Sequence, residues 1–196
     1  MKRRPGPAAD WTRGLKRIAV LQLVLLIAGG CTAVEMAAED RSFDDQKADT
    51  KIKAGIITDI NNRMNTTLAA LLNVDVYEQR VLLTGEVDSA EERAKVGEIV
   101  RARTDVKRIY NEVQVAGQDA DEASVVDDVL IAEKLRLKLA STQGVSHTNW
   151  RFRSVNGRVY LFGRALTREE YDLVAALASD TADVRAVVNR AIVRGK

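Results

Sequence analysis

The sequence predicts an α+β fold of two αββαβ units, each a three-stranded mixed sheet packed against two helices. Three observations support this prediction: an internal repeat, pairs of alternating apolar strands, and a helical pattern before and after each pair. The repeat aligns residues 80–115 with residues 158–193 without a gap, and 11 of the 36 positions are identical. The chain therefore contains one supersecondary unit twice.

The most distinctive part of each copy is a short strand, at 80–87 in the first and 158–165 in the second. Alternate positions are apolar or glycine, as in a strand with one buried face: Val81, Leu83, Gly85 and Val87, then Val159, Leu161, Gly163 and Ala165. Glycine inside a strand favours close packing, so Gly85 and Gly163 are predicted to be structural, where a side chain would collide with the covering helix or the neighbouring strand.

A second alternating run precedes each of these strands. In the second copy the two runs are joined by Asn156-Gly157, a dipeptide that favours a type I′ turn because it tolerates two positive φ angles. Each copy is therefore predicted to contain a β-hairpin.

Capping boxes mark the helix that follows each hairpin. Ser89 and Glu92 form the first box, and Thr167 and Glu170 form the second. In such a box the hydroxyl and the carboxylate each satisfy a free backbone amide. These four residues are therefore predicted to be structural.

The remaining elements complete the order helix, strand, strand, helix, strand. A helical pattern begins near Asp49 in the first copy and near Asp128 in the second, and closing strands occupy 109–115 and 187–193. Each copy is near the smallest size that buries an independent core. The two copies are therefore expected to pack against each other.

Residues 1–30 are predicted to be a lipoprotein signal peptide. Basic residues precede an apolar run at 18–28, which is too short to span a bilayer, and Gly29-Gly30-Cys31 follows. Cys31 is the only cysteine, so no internal disulfide can form, and lipidation of its thiol explains its presence. The alternative is an uncleaved membrane anchor. Residues 31–45 are polar and acidic and predict a tether.

Charge is divided unevenly between the copies. Without the first 30 residues the chain has 24 basic and 27 acidic residues. Residues 32–123 contain 12 basic and 19 acidic residues, whereas residues 124–196 contain 12 and 8. Three interpretations stay open: the second copy meets an anionic surface, its charges are simply solvated, or the copies attract each other. A short acidic linker, 117–123, joins the copies.

The sequence offers no recognisable catalytic or metal-binding set. His147 is the only histidine, and it falls in a predicted loop without the spacing of a metal site or a nucleophile–base pair. The capping boxes already explain the glutamate pairs at 91–92 and 169–170. We therefore expect no catalysis, cofactor or metal, and the acidic, exported chain argues against nucleic acid.

The first helix of the second copy, 126–139, carries apolar residues on two faces. One face is the predicted core: Ile131, Leu135 and Leu139. The opposite face holds Val126, Leu130 and Leu137, which we call the outer ridge, flanked by Lys134 and Lys138. Apolar residues beside cations are typical of a helix in an anionic lipid interface, so these five are lipid-binding candidates. The alternative is burial of the ridge against the first copy.

Together these motifs resemble the BON-domain family. Its pattern is a V-x-L-x-G-x-V strand, an S/T-x-x-E helix start and a closing strand led by D/G-V, and it covers domains at 46–116 and 124–196. Two departures occur: Glu78-Gln79 stands at the turn glycine of the first hairpin, and Asp105 and Asp183 replace the usual glycine of the closing turn.

The signal peptide and the repeat together resemble dual-BON outer-membrane lipoproteins of Gram-negative bacteria. The resemblance implies a lipid-anchored protein on the periplasmic face of the outer membrane that binds anionic phospholipid and supports membrane integrity. It also implies that the ridge helix contacts lipid, with Leu130 at a position that is aromatic in the family. Two other functions stay open: docking of envelope-assembly proteins or cell-wall enzymes, and a stress-induced chaperone-like role.

Overall fold

The computed structural model describes residues 39–117 and 125–194. The signal peptide, Cys31, most of the tether and most of the linker lie outside these ranges, as does the side chain of Val126. Both copies belong to one compact unit, Asp40–Lys196. No helix in the described ranges is both long and apolar enough to cross a bilayer.

The first copy follows the predicted order with one added helix. Its elements are α1 (Phe43–Arg63), α2 (Thr66–Leu71), β1 (Leu72–Tyr77), β2 (Arg80–Val87), α3 (Ala90–Arg101), β3 (Arg108–Asn111) and β4 (Gln114–Val115). The helix α1 begins six residues before Asp49, because the Ser42 hydroxyl caps it by accepting from Asp45 N at 3.1 Å. The end of the predicted tether is therefore helical from Phe43.

The second copy repeats this order. Its elements are α4 (Val125–Ser141), a 3₁₀ turn (His147–Asn149), β5 (Trp150–Val155), β6 (Arg158–Ala165), α5 (Arg168–Ser179), β7 (Ala186–Asn189) and β8 (Ile192–Val193). The 3₁₀ turn stands where the first copy has α2. The predicted α+β class and the repeated unit are confirmed.

Each sheet is mixed, with its central strand antiparallel to the preceding strand and parallel to the closing strand. The closing strand is split into two segments, which pair with the two ends of the central strand. In the first copy the break lies opposite Thr84 and Gly85, where Gly85 has φ +117°. The predicted third strand is thus present but interrupted.

The helices of each copy cover one face of its own sheet. In the first copy the core between them includes Ile56, Ile60, Val81, Leu83 and Val96. In the second copy it includes Ile131, Leu135, Leu139, Val159 and Leu161. These are the alternating strand positions and the predicted core face of α4.

The other faces of the two sheets pack against each other, so the prediction of one buried face per strand is wrong. A separate apolar cluster fills this interface: Tyr77, Leu82, Val155, Tyr160 and Phe162. Tyr110 meets Phe162 edge-on, with ring centroids 6.1 Å apart. Leu82, Tyr160 and Phe162 occupy the positions between the core residues, so the central strands are buried on both sides. The expectation that the copies pack together is confirmed.

Both hairpins have two positive φ angles at the turn, as a type I′ turn requires. The angles are 52° and 73° at Asn156 and Gly157, and 53° and 62° at Glu78 and Gln79. An aspartate of the preceding helix supports each turn. Asp49 accepts from Glu78 N and Gln79 N at 2.7 and 2.8 Å, and Asp128 accepts from Asn156 N and Gly157 N at 2.7 and 2.9 Å.

Replacing Gln79 by glycine should stabilise the protein. Gln79 holds φ +62°, a conformation that glycine adopts without the steric cost of a Cβ atom. We expect a gain of about 0.5–1 kcal/mol in the free energy of unfolding, since part of the relief is offset by glycine's larger backbone entropy loss. Urea unfolding of the chain without residues 1–31 measures this gain in stability. A loss of stability would show that the turn is not strained at this position.

Candidate functional site

Charge complementarity links the two copies. Three arginines of the second copy form ion pairs with acids of the first. Arg153 donates two hydrogen bonds to Asp75, at 2.7 and 2.8 Å, Arg190 Nη2 lies 2.7 Å from Glu112, and Arg164 pairs with Glu78. The hydrogen bond to Asp75 raises the pKa of Arg153. Part of the charge asymmetry therefore serves attraction between the copies.

Two residues of the outer ridge, Leu130 and Leu137, face away from both cores and from the interface between the sheets. Leu130 is 51% exposed and Leu137 is 68% exposed, whereas Ile131 and Leu135 are fully buried. Because the opposed sheets form the contact between the copies, the alternative that Leu130 and Leu137 are buried against the first copy is wrong. The structure adds Val129, which is 57% exposed and was not among the predicted ridge residues.

The two lysines that flank the ridge have acidic partners. Lys134 Nζ lies 2.7 Å from Asp183 Oδ2. Lys138 Nζ donates to the Asp180 carbonyl at 2.6 Å and lies 3.1 Å from its carboxylate. Both aspartate side chains are mainly exposed, and exposed pairs contribute only about 0–1 kcal/mol. Either lysine can therefore exchange its partner for another anion at little cost.

A third cation on α4 was missed. The Arg136 side chain is 63% exposed and pairs with exposed Glu133 at 3.4 Å. It adjoins Leu137 in sequence and lies seven residues, about two turns, after Val129 on the same helix. Its guanidinium also lies 5.9 Å from the Phe152 ring centre. The positive charge of Arg136 is visible in the sequence, but the position of its guanidinium beside Phe152 depends on the neighbouring strand.

The helix caps have the predicted hydroxyl bonds. Ser89 Oγ accepts from Glu92 N at 3.2 Å, and Thr167 Oγ1 accepts from Glu170 N at 3.1 Å. Each carboxylate reaches the amide one residue before the N-cap rather than the N-cap amide itself. Glu92 accepts from Asp88 N at 3.0 Å, and Glu170 accepts from Leu166 N at 2.7 Å. The reciprocal bond is therefore shifted by one residue.

The strand glycines lie against neighbouring backbone. A Cβ atom on Gly85 would lie 2.3 Å from Leu71 O, and one on Gly163 would lie 2.1 Å from Asn149 O. Both glycines have φ near +118°, at 117° and 119°. These carbonyls belong to the residues that lead into β1 and β5, so any side chain would push the hairpin apart.

The described residues contain no group of three or more His, Cys, Asp or Glu side chains placed to hold a metal ion. His147 is exposed in the 3₁₀ turn. The buried acids have structural partners: Asp49 accepts from a hairpin turn, Asp75 pairs with Arg153, and Glu170 accepts from three donors. Half-buried Asp128 accepts from the other hairpin turn.

Comparison with known proteins agrees with this architecture. The family model for the BON domain matches residues 44–117 and 127–195. The chain is 23% identical over 183 residues to the outer membrane lipoprotein DolP of Haemophilus influenzae, covering 89% of this chain and 94% of that protein. It is 28% identical over 137 residues to an uncharacterized protein from the gshII 5′ region of Anaplasma centrale, covering 69% and 91%.

Among solved structures, the chain is similar to CdsD, a structural protein of the type III secretion system of Chlamydia trachomatis. The TM-score is 0.30 and the identity 13%, over 71% of this chain and 90% of that one.

Proposed function

The chain belongs to the BON-domain family, and from that premise we propose that it is a non-enzymatic, lipid-anchored protein on the periplasmic face of the outer membrane. In this proposal it binds anionic phospholipid and supports outer-membrane integrity. The relative named outer membrane lipoprotein DolP supports the location. The solitary Cys31 after a short apolar run supports the anchor.

The exposed outer ridge carries the proposal. Leu130 and Leu137 are seven residues apart, so they lie on one side of α4 and about 10 Å apart along its axis. Moving a leucine side chain from water into an apolar medium gains about 1.5–3 kcal/mol when burial is complete. Two such side chains, with Val129 at their edge, therefore support reversible insertion of the helix into the headgroup region.

The cations of the same helix supply selectivity for anionic lipid. Lys134 lies between the two leucines on the helix surface, and Lys138 and Arg136 adjoin Leu137. A basic residue near an anionic leaflet contributes about 1 kcal/mol, and salt screens this contribution over about 10 Å. Three second-copy arginines are engaged with the first copy, whereas the helix cations adjoin the exposed leucines, so the helix cations supply the attraction at the ridge in this proposal.

A second candidate function is docking of a protein partner by the first copy. The first copy exposes Phe43 and Leu71, each by 58%, and both residues lie outside α4. Large exposed apolar side chains occur at interfaces with other proteins. An envelope-assembly protein or a cell-wall enzyme bound through this copy would be retained in a lipid-free pull-down and lost in a Phe43→Ser/Leu71→Ser variant. A chaperone-like role stays a prediction.

Changing the ridge should abolish lipid binding without unfolding the protein. We expect Leu130→Asp, and separately Lys134→Glu, to prevent the chain without residues 1–31 from floating with liposomes whose anionic phospholipid is phosphatidylglycerol, a phosphate diester. Because Leu130 is half exposed and Lys134 forms only an exposed ion pair, the melting temperature should change little.

The matched control is Lys51→Glu, an exposed position on α1 of the first copy. It changes charge by the same amount as Lys134→Glu, and flotation should persist. If the Leu130→Asp protein floats as well as the unchanged chain, or if Lys51→Glu abolishes flotation equally, the ridge is not the lipid-binding surface.

A further inference from the structure

A cleft of about 620 Å³ opens at the hairpin end of the first copy. Its walls come from the first turn of α1, the β1–β2 turn, the start of β3 and one residue of β8, Ile192. Both copies therefore contribute to it. The cleft is separate from α4, which supplies none of its lining residues.

Basic side chains dominate the cleft. Arg80, Lys107 and Arg108 line it together with two acids, Asp45 and Glu78. Both acids already have partners, since Asp45 accepts from the Ser42 hydroxyl at 2.6 Å and Glu78 pairs with Arg164. The side chains of Lys107 and Arg108 are exposed and make no hydrogen bond or ion pair within residues 39–117 and 125–194.

Arg80 is 7% exposed and brings a positive charge that the protein compensates only in part. Its Nη2 donates to Gly163 O at 2.7 Å and its Nη1 to Arg190 O at 3.3 Å, its Nε has no acceptor among the described residues, and Glu78 is 3.9 Å away. Burial lowers the pKa of Arg80, which reflects the cost of holding this charge away from water. An anion in the cleft would offset that cost.

The lining residues supply three cations and two carboxylates, and one of these carboxylates, Glu78, is paired with Arg164 outside the lining. Lys107 and Arg108 are therefore available to an anion. A phosphate monoester carries about −1.5 to −2 at neutral pH and three acceptor oxygens, which suits lysine and arginine donors. Tyr110 and Ile192 offer a ring and an aliphatic surface to the organic part of such a ligand. We propose that this cleft binds a phosphate monoester, presented either by a soluble molecule or by a lipid headgroup.

The first arm of the test uses glycerol 3-phosphate and the full chain in a zwitterionic detergent. Amide resonances of Lys107, Arg108 and Tyr110 should shift and saturate with a Kd of about 1 mM or lower. The double variant Lys107→Gln/Arg108→Gln should raise the Kd about tenfold or more, because it removes two charge-assisted donors. The control Lys95→Gln, an exposed lysine of α3, should leave it unchanged.

The second arm distinguishes the source of the phosphate. The chain without residues 1–31, carrying Leu130→Asp to remove the proposed ridge contact, is floated with vesicles of phosphatidylcholine alone or with added phosphatidic acid. If flotation requires phosphatidic acid, Lys107 and Arg108, and glycerol 3-phosphate does not saturate the cleft, the ligand is a lipid headgroup. This result supports the proposal. Saturation by glycerol 3-phosphate supports a soluble ligand. If neither arm depends on Lys107 and Arg108, the proposal is overturned.

Discussion

Replacing Gly163 by alanine is expected to destabilise the protein by about 3 kcal/mol or more, and Gly85→Ala should act similarly. The added Cβ atoms would lie 2.1 Å from Asn149 O and 2.3 Å from Leu71 O. These contacts are to backbone that leads directly into the neighbouring strand, so a side-chain rotation cannot relieve them. The φ angles of 119° and 117° add conformational strain.

The matched control is Gly144→Ala. Gly144 also has a positive φ, at 87°, but a Cβ atom there would meet nothing within 4 Å. This variant isolates the conformational cost, which we expect to be about 1–2 kcal/mol. Urea unfolding followed by circular dichroism compares the three proteins. Equal losses for all three would show that the collision with the adjacent strand contributes nothing.

Replacing Glu170 by alanine is expected to cost about 2–4 kcal/mol, whereas Glu92→Ala should cost about 1 kcal/mol or less. Glu170 is 4% exposed and accepts from Leu166 N, Ser146 N and the Trp150 indole, at 2.7, 2.8 and 3.1 Å. Removing it leaves three donors without an acceptor. Glu92 accepts only from Asp88 N beyond its own helix start.

The two glutamates occupy equivalent positions in the repeat, so helix propensity and capping are matched and the difference isolates the buried network. Glu170→Gln keeps one acceptor oxygen and should fall between the unchanged chain and Glu170→Ala. Thermal unfolding measures all four proteins. A Glu170→Ala protein no less stable than Glu92→Ala would contradict the structural role of this network.

Local patterns in the sequence predicted most elements. The strand alternation, the Asn156-Gly157 turn and the serine and threonine caps each depend on neighbouring residues, so they are visible without tertiary information. The start of α1 was placed too late because its first turn, Phe43-Asp44-Asp45, is mostly polar, and the Ser42 cap was not considered.

The missed features depend on residues distant in sequence. Leu82, Tyr160 and Phe162 are apolar at positions expected to face solvent, and this could have indicated a second buried face. Nothing local shows that the partner is the other sheet, or that Asp49 reaches a turn 29 residues away. The candidate lipid-contact helix was predicted in part. Leu130 and Leu137 are exposed as expected, whereas the acidic partners of Lys134 and Lys138 are visible only in the structure.

The central claim is that the ridge of α4 enters an anionic membrane. The most direct test places a fluorophore on cysteine at Leu137, in the chain without residues 1–31, and compares it with a fluorophore at Thr58, on the outer face of α1 in the first copy. Vesicles with anionic phospholipid and a nitroxide-labelled lipid supply the quencher. The account predicts strong quenching at position 137 and little at position 58. Vesicle-bound protein that is quenched at position 58 but not at position 137 would contradict it.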